Sequence, residues 1–207
     1  HRSLKQRNKL LKERALSSLE PWTEKLTELG NSLTDKRKIF FDQTRDQFNS
    51  LVSSLNLEME KVFIKDLTVE YYKGWDEELT LANSLDAERD TDIRRKVTTR
   101  GPHKADIKIY IKGVDAKEIL SRGEQKLLAI IWLCSQHEVL RSTYNIKPTL
   151  LIDDVKSELD IETFNIYIAL LKLIQNQVIF SNIEDQINSK IEAELINIKK
   201  FHVEQLS

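Results

Sequence analysis

The chain has 207 residues, 40% of them apolar and 31% charged, with a formal net charge of −1. Its five glycines and three prolines argue against a loop-rich or disordered chain. The near-neutral charge excludes a uniformly basic nucleic-acid binder but allows a local basic patch, and the lone Cys134 excludes a disulfide framework and fits a reducing compartment. The longest apolar run, Leu127 to Cys134, falls well short of the roughly 20 residues of a membrane helix, so no membrane partner is expected.

The first expected element is a helix from Leu4 to Leu19. Leu4, Leu11, Ala15 and Leu19 give it a thin apolar stripe, while Arg2, Lys5, Arg7, Lys9, Lys12 and Arg14 face a single acid, Glu13. Pro21 suits the first turn of a new helix. Trp22, Leu26, Leu29 and Leu33 recur at helical spacing, and Phe40, Phe41, Phe48, Leu51 and Leu55 continue the pattern. They predict one long amphipathic helix, or two in line with a break at Gly30 and Asn31, pairing with the first helix as a short coiled coil. Alternation at Leu67, Val69 and Tyr71 predicts a strand ending at Lys73 and Gly74. A charge-rich helix is expected from Trp75 to about Val97. A loop follows at Arg100–His103, then a half-exposed strand through Ile107, Ile109 and Ile111 that closes on Lys112 and Gly113.

Ser121 followed by Glu124 fits a capping box, and the apolar helix it starts runs to about Arg141. Thr149 to Asp154 reads as a short strand buried on both faces. Glu158 to Gln175 reads as a helix with Ile161, Phe164, Ile168, Leu171 and Ile174 on one face. Val178 to Phe180 reads as a second buried strand, Ile183 to Ile191 as a helix and Leu195 to Val203 as a last strand. The alternation of strands and helices in this half predicts a layered α/β domain with a partly parallel sheet. The expected division is a helical arm with a short strand at residues 1–100 and an α/β lobe at 101–207.

Two stretches carry chemistry. A helix N-terminus presents unpaired N–H groups and about half a positive charge, so Ser121 to Gln125 suits an anion, with Gly123 permitting close approach. A capping box that merely starts a helix explains the same residues. Leu150 to Asp154 is an apolar strand that ends in two adjacent carboxylates, which are costly to bury without a task. One would hold Mg²⁺ through water and the other would orient or deprotonate a water; a helix-capping Asp at a strand end is the plainer alternative. Arg7, Lys9 and Lys12 offer a basic helix for DNA phosphates, against the alternative of a solvated helix face. Arg94, Arg95 and Lys96, with Arg100 and Lys104, form a second basic cluster that Asp90, Asp92 and Asp106 dilute. His103, beside Pro102 in a loop, offers a contact to nucleotide or DNA, against the plainer alternative of a loop histidine with no role. The scattered histidines and the lone Cys134 make no zinc spacing.

The order of these stretches is more specific than either alone. Leu120-Ser121-Arg122-Gly123-Glu124-Gln125-Lys126 resembles the signature motif of ABC-type ATPases in their chromosome-maintenance and DNA-repair branch. Leu150-Leu151-Ile152-Asp153-Asp154 resembles the Walker B strand, and Ser157-Glu158-Leu159-Asp160 resembles the D-loop that follows it. Gly101-Pro102-His103-Lys104-Ala105-Asp106, the helix from Arg7 and Asn8 to Lys12, and Tyr72-Lys73-Gly74-Trp75 resemble the bacterial recombination mediators of the RecF family. The resemblance covers nearly the whole chain.

This resemblance implies an ABC-ATPase lobe joined to a coiled-coil-like helical arm. It implies ATP sandwiched in a head-to-tail, ATP-dependent homodimer. Ser121, Arg122, Gly123 and Glu124 would then face the γ-phosphate of the partner's ATP. Asp153 would hold Mg²⁺ through water, Asp154 would polarise the attacking water, and Asp160 would sit at the dimer seam. Asn182 takes the place of the switch histidine of many ABC ATPases and, unlike histidine, takes no proton. Arg122 replaces the first glycine of the commonest signature. The implied setting is bacterial, cytoplasmic and nucleoid-associated: recombinational repair and replication restart, linked to DNA damage and the SOS response. The implied partners are double-stranded DNA, single-strand gap junctions, RecO and RecR.

One part of the pattern is missing. Cradling phosphates in this class needs G-x-x-x-x-G-K-[ST], and none of Gly30, Gly74, Gly101, Gly113 and Gly123 is followed by it. With a start at His1, the expectation is a C-terminal part of a RecF-like protein that holds half a site and is inactive alone. The alternatives are a non-catalytic DNA-binding or protein-interaction module with idle ATP motifs and, more distantly, a nuclease-type metal pair at Asp153 and Asp154.

Overall fold

A computed structural model describes residues 1–58, 67–152, 161–174 and 177–180. They form helices with small sheets, an α/β fold as expected. Helix α1 (Arg2–Glu13) ends at Arg14 in the left-handed conformation, and a 3-10 turn at Leu16–Ser18 leads into α2 (Glu20–Glu58). Strand β1 (Leu67–Tyr72), helices α3 (Leu81–Ala87) and α4 (Arg89–Arg95), a 3-10 turn at Pro102–Lys104 and strand β2 (Asp106–Ile111) follow. Then come β3 (Val114–Asp115), α5 (Ala116–Ile119), α6 (Arg122–Ser142), β4 (Leu150–Ile152), α7 (Ile161–Leu173) and β5 (Val178–Phe180).

The chain divides into two compact units, each discontinuous in sequence: residues 1–42 with 68–110, and 43–67 with 111–207. The crossings fall inside α2 and at both ends of the β1–β2 region, so the expected boundary at residue 100 lies within the first unit.

In the first unit, Leu26, Trp75, Leu81 and Leu85 form a buried cluster, with Leu4 packed against it. Helix α2 is continuous through Gly30 and Asn31. Gly30 is there for close packing: a Cβ would stand 2.5 Å from Leu81 Cδ2 and 3.2 Å from Pro102 Cγ. The expected apolar row holds at Leu26, Phe41, Phe48, Leu51 and Leu55 and fails at Leu29 and Leu33. Leu29 and Leu33 are exposed, while Leu26, Gly30, Phe41, Thr44, Phe48, Leu51 and Leu55 are buried, a seam of period near 3.5 that passes through glycine and threonine as well as through apolar residues. Helix α1 packs on α4 and on the turn at Leu16–Ser18, and it meets α2 where Leu4 packs on the cluster containing Leu26 and Arg7 Nε donates to Thr23 Oγ1.

The charge-rich segment after Gly74 is two short helices, preceded by a tight turn. Trp75 Nε1 and Lys73 Nζ both donate to Leu79 O, and Asp76 Oδ1 accepts from Glu78 N. These local bonds compete with helix, as short polar side chains do. Thr80 then caps α3 by accepting from Asn83 N.

Gly74 and Gly101 hold the next loop. Gly101 N donates to Gly74 O at 3.1 Å, and both residues have positive φ, 103° and 133°. A Cβ on Gly74 would collide with Gly101 O. Strands β1 and β2 pair, and β2 turns at Lys112 and Gly113 into β3.

In the second unit, α6 packs against α7. Phe48, Leu55, Leu127, Ile131, Cys134, Ile166, Tyr167 and Leu170 are all buried there, and the Phe48 and Trp132 rings lie 5.6 Å apart. Strands β4 and β5 pair in parallel, with Leu150 opposite Val178 and Ile152 opposite Phe180. The expectation of strands buried on both faces fails: Leu151 is 72% exposed and its partner Ile179 53%. Of the face expected on α7, Phe164, Ile168 and Leu171 are buried and Ile161 is exposed. The expected elements at Ile183–Ile191 and Leu195–Val203 lie outside the described residues.

The two positive-φ glycines with different surroundings separate backbone strain from steric blockage. Gly113→Ala, with φ +82° and nothing within 4 Å of its Cβ, should cost about 1 kcal/mol. Gly74→Ala should cost about 3 kcal/mol, because overpacking adds to the strain. Urea midpoints of the two variants give the comparison.

Candidate functional site

The first turn of α6 is the best-defined part of the expected site. Ser121 is the N-cap, in extended conformation. Its Oγ accepts from Glu124 N at 3.3 Å, its N–H donates to Glu124 Oε2 at 2.9 Å, and its hydroxyl donates to the same oxygen at 2.8 Å. The expected capping box is therefore complete. Gln125 secures the entry by donating from Nε2 to Leu120 O at 2.9 Å. Leu120 and Gly123 are buried, and Leu127, Leu128 and Ile131 fasten the following turns into the core. The N-terminus of this helix is thus held on a rigid support.

Its chemistry follows from the capping. A helix begins with four N–H groups lacking intrahelical acceptors. The box satisfies those of Ser121 and Glu124, which leaves Arg122 and Gly123. These two donors, the exposed Arg122 side chain and the positive end of the helix suit a phosphate oxygen. The Glu124 carboxylate already partly neutralises this end. An arriving anion must either share the two remaining N–H groups or displace Glu124 from the Ser121 hydroxyl.

The second half of the expected site lies mostly outside the described residues: Asp153, Asp154, Ser157, Glu158, Asp160 and Asn182. What is described is the scaffold before them. Leu150 N donates to Gln177 O at 2.9 Å, and the parallel register ends with Ile152 beside Phe180. The chain leaves both strands at the same end of the sheet, immediately before Asp153 on one and two residues before Asn182 on the other. The carboxyl end of parallel strands is where ligands bind in α/β folds. Among the described residues, no group of three or more His, Cys, Asp and Glu side chains is arranged to hold a metal.

The proposed DNA-contacting residues are separated by the fold. Lys9 and Lys12 are exposed, whereas Arg7 is only 1% exposed. Arg7 Nη1 is 2.7 Å from Asp92 Oδ2 and donates to Thr98 Oγ1 at 2.7 Å, while its Nε donates to Thr23 Oγ1 at 3.1 Å. Asp92 Oδ1 accepts from the N–H and the hydroxyl of Thr99 at 2.8 and 2.6 Å. Asn8 Oδ1 accepts from Thr98 N and Oγ1 at 2.8 and 2.7 Å. The Arg7 guanidinium is committed to a buried network and does not reach an external phosphate. Sequence reasoning missed Asn8, Asp92, Thr98 and Thr99. One signal was available: Arg7 falls between Leu4 and Leu11 on the apolar stripe of α1, which is where a buried charge with a partner belongs.

The remaining candidates resolve as structure. His103 Nε2 lies 3.0 Å from Thr98 O, which ties the loop to the same network, and Arg37 Nη1 donates to Pro102 O at 2.6 Å. Burial pushes the Cys134 thiol up to about 12, so it stays protonated. A cavity of about 510 Å³ lies in the first unit, lined by Leu19, Leu85, the acids Glu20, Glu24, Glu28 and Asp86, and the arginines Arg7 and Arg89. It contains none of the residues expected to meet nucleotide.

No protein-family model matches the chain. Curated proteins do. It is 33% identical over 205 residues to the DNA replication and repair protein RecF of Nitrosococcus oceani, covering 98% of this chain and 55% of that protein. The RecF of Hahella chejuensis is 32% identical over 219 residues, with the same coverage. The solved structure of the recombination mediator protein RecF-ATP in the RecFOR pathway aligns with a TM-score of 0.64 and 28% identity, covering 89% of this chain and 51% of that one; its RecF-ATPrS counterpart aligns equally well. The chain spans about half the length of the relatives it matches.

The buried pair predicts a non-additive mutant cycle. Asp92→Ala strands the Arg7 charge and should cost about 3–5 kcal/mol, whereas Arg7→Met with Asp92→Leu should cost less than Asp92→Ala alone. Urea denaturation of the three variants measures it; additive losses contradict the assignment.

Proposed function

Because this chain is related over nearly its whole length to about half of the RecF proteins, we propose that it supplies one part of a RecF-type ATP-dependent machine for recombinational repair. In this reading Ser121, Arg122, Gly123 and Glu124 form the face that meets the γ-phosphate of ATP held by a partner subunit. Asp153 holds Mg²⁺ through water, Asp154 polarises the attacking water and Asp160 lines the seam. Asn182 hydrogen-bonds at the switch position without taking up a proton. ATP binding drives dimerisation on duplex DNA near single-strand gaps, with RecO and RecR as further partners, and hydrolysis releases it. The protein works in the bacterial cytoplasm, on the nucleoid, in repair, replication restart and the SOS response.

The observation that carries the nucleotide reading is the first turn of α6. Its N–H groups at Arg122 and Gly123 precede any intrahelical acceptor, on a helix whose start is fixed by the capping box. Electrostatic stabilisation of developing phosphoryl charge needs donors that are already in place. ATP, when bound, supplies the transferable phosphoryl group. The chain's own contribution is orientation and hydrogen bonding on one side of it.

The second reading is a non-catalytic DNA-binding or protein-interaction module. It rests on the Ser121 hydroxyl, which already donates to Glu124 at 2.8 Å and so leaves the cap self-satisfied.

Hydrolysis of Mg·ATP by this chain, alone and mixed with a separately produced P-loop segment of a RecF relative, decides between them. The chain alone should be inactive, the mixture active, and Asp154→Asn should reduce the mixture's rate at least about 100-fold, as expected when a water-orienting group is lost. Hydrolysis by the chain alone contradicts the half-site, and an inactive mixture favours the module.

A further inference from the structure

The chain enters α6 through a sharp bend. Helix α5 is a single turn, started by Asp115, whose Oδ1 accepts from Lys117 N at 2.9 Å. Leu120 and Ser121 are then both extended, with ψ of 142° and 161°, before α6 begins at Arg122. Two extended residues between two helices leave the direction of the second helix open unless something ties it to the first. The capping box does not do this. Its bonds run between Ser121 and Glu124, inside one turn, so they start the helix without aiming it. The buried Leu120 side chain is an anchor without a direction, as apolar burial is.

Gln125 supplies the tie. It is the fourth residue of α6, and side chains on a helix lean toward its N-terminus. Its Nε2 reaches back to donate to Leu120 O at 2.9 Å and, more weakly, to Lys117 O at 3.3 Å. A primary amide carries two N–H donors, and here both go to carbonyl groups at the end of α5. Helices often fix their entry angle with an apolar pair, the residue before the cap against the fourth residue of the helix. Leu120 is the apolar half of such a pair, but its counterpart is Gln125, so a directional bond to the backbone stands where an apolar contact is usual. An apolar residue at this position would leave the Leu120 and Lys117 carbonyls without that donor at a helix end, where carbonyls lack intrahelical partners.

The turn that Gln125 closes is the one that carries the free N–H groups of Arg122 and Gly123. Donors that stabilise developing charge must already be in place, and a misplacement of about 1 Å can cost about 100-fold in rate. We infer that Gln125 is a positioning residue of the phosphate-facing turn: its carboxamide clasps the end of α5 and so aims the Arg122 and Gly123 N–H groups. The inference rests on the nucleotide reading above and specifies what orients that site. With both donors engaged, Gln125 touches no nucleotide and acts only through the turn.

The test compares Gln125→Met, of similar length but without donors, with Gln125→Lys, which restores donors. The first measurement is amide hydrogen exchange on the chain alone, at the amides of Leu120, Glu124 and position 125, which are bonded to Ala116 O, Ser121 Oγ and Ser121 O. The Met variant should speed exchange there about fivefold, the worth of one hydrogen bond, while the interior amides of α6 from Leu128 to Trp132 and the urea midpoint stay as in the parent. The Lys variant should exchange as the parent does. The second measurement is Mg·ATP hydrolysis in the mixture with a P-loop segment. The Met variant should lower kcat at least about tenfold with KM within about twofold, and Lys should recover most of the rate. Unchanged exchange at the three amides in the Met variant, or a Lys variant as loose as Met, overturns the clasp. A loosened turn with an unchanged kcat overturns the positioning role. An inactive parent mixture is a failure of the nucleotide reading and removes the positioning role with it, while exchange in the chain alone still decides the clasp.

Discussion

The first unit depends on one buried ion pair. Arg7 and Asp92 lie 2.7 Å apart at 1% and 0% exposure, and burying two charges costs several kcal/mol before any gain. The cost is met because the pair is hydrogen-bonded on several sides, by Thr23 and Thr98 around the guanidinium and by Thr99 around the carboxylate. Such a pair adds little to net stability, but it specifies an arrangement. The contacts that satisfy Arg7 exist only when α1, α2, α4 and the segment after α4 are in place together. The paired glycines at 74 and 101 extend the same constraint: a Cβ on Gly74 would strike Gly101 O, and Gly101 holds a φ of 133° that side-chain-bearing residues rarely adopt.

The chemistry asked of the second unit depends on a different constraint, the start of α6. A capping box ordinarily explains itself as helix initiation. Here it also leaves the N–H groups of Arg122 and Gly123 without intrahelical acceptors at a fixed position, and β4 ends its pairing with β5 just before the two adjacent aspartates in the chain. Helix starts and strand ends are the parts of an α/β layer whose backbone groups are not consumed by the fold, which is why ligand chemistry collects there.

Much of this was legible in the sequence, and the misses have physical causes. The Ser121–Glu124 box, the turn at Lys112–Gly113 and the strand at Leu67–Tyr72 are local, set by side chains a few residues apart, and each appears where expected. The seam of α2 was read only in part because it also runs through Gly30 and Thr44; size and hydrogen bonding choose those residues, and hydrophobicity does not report them. The helix expected from Trp75 gave way to a turn in which Trp75 and Lys73 bond to Leu79 O. Arg7 was assigned to DNA because its partner Asp92 is eighty-five residues away, beyond any local pattern. Leu151 and Ile179 read as buried because they are apolar, and their exposure is a property of the layer that covers a sheet, which a strand's own residues do not encode.

We propose the first turn of α6 as a phosphate-facing half-site. Amide hydrogen exchange over residues 120–126 tests it most directly, measured on this chain mixed with a P-loop-bearing RecF segment, with and without Mg·ATP. Nucleotide held there should slow exchange at the Arg122 and Gly123 amides. Saturating nucleotide that leaves exchange at those two amides unchanged would contradict it.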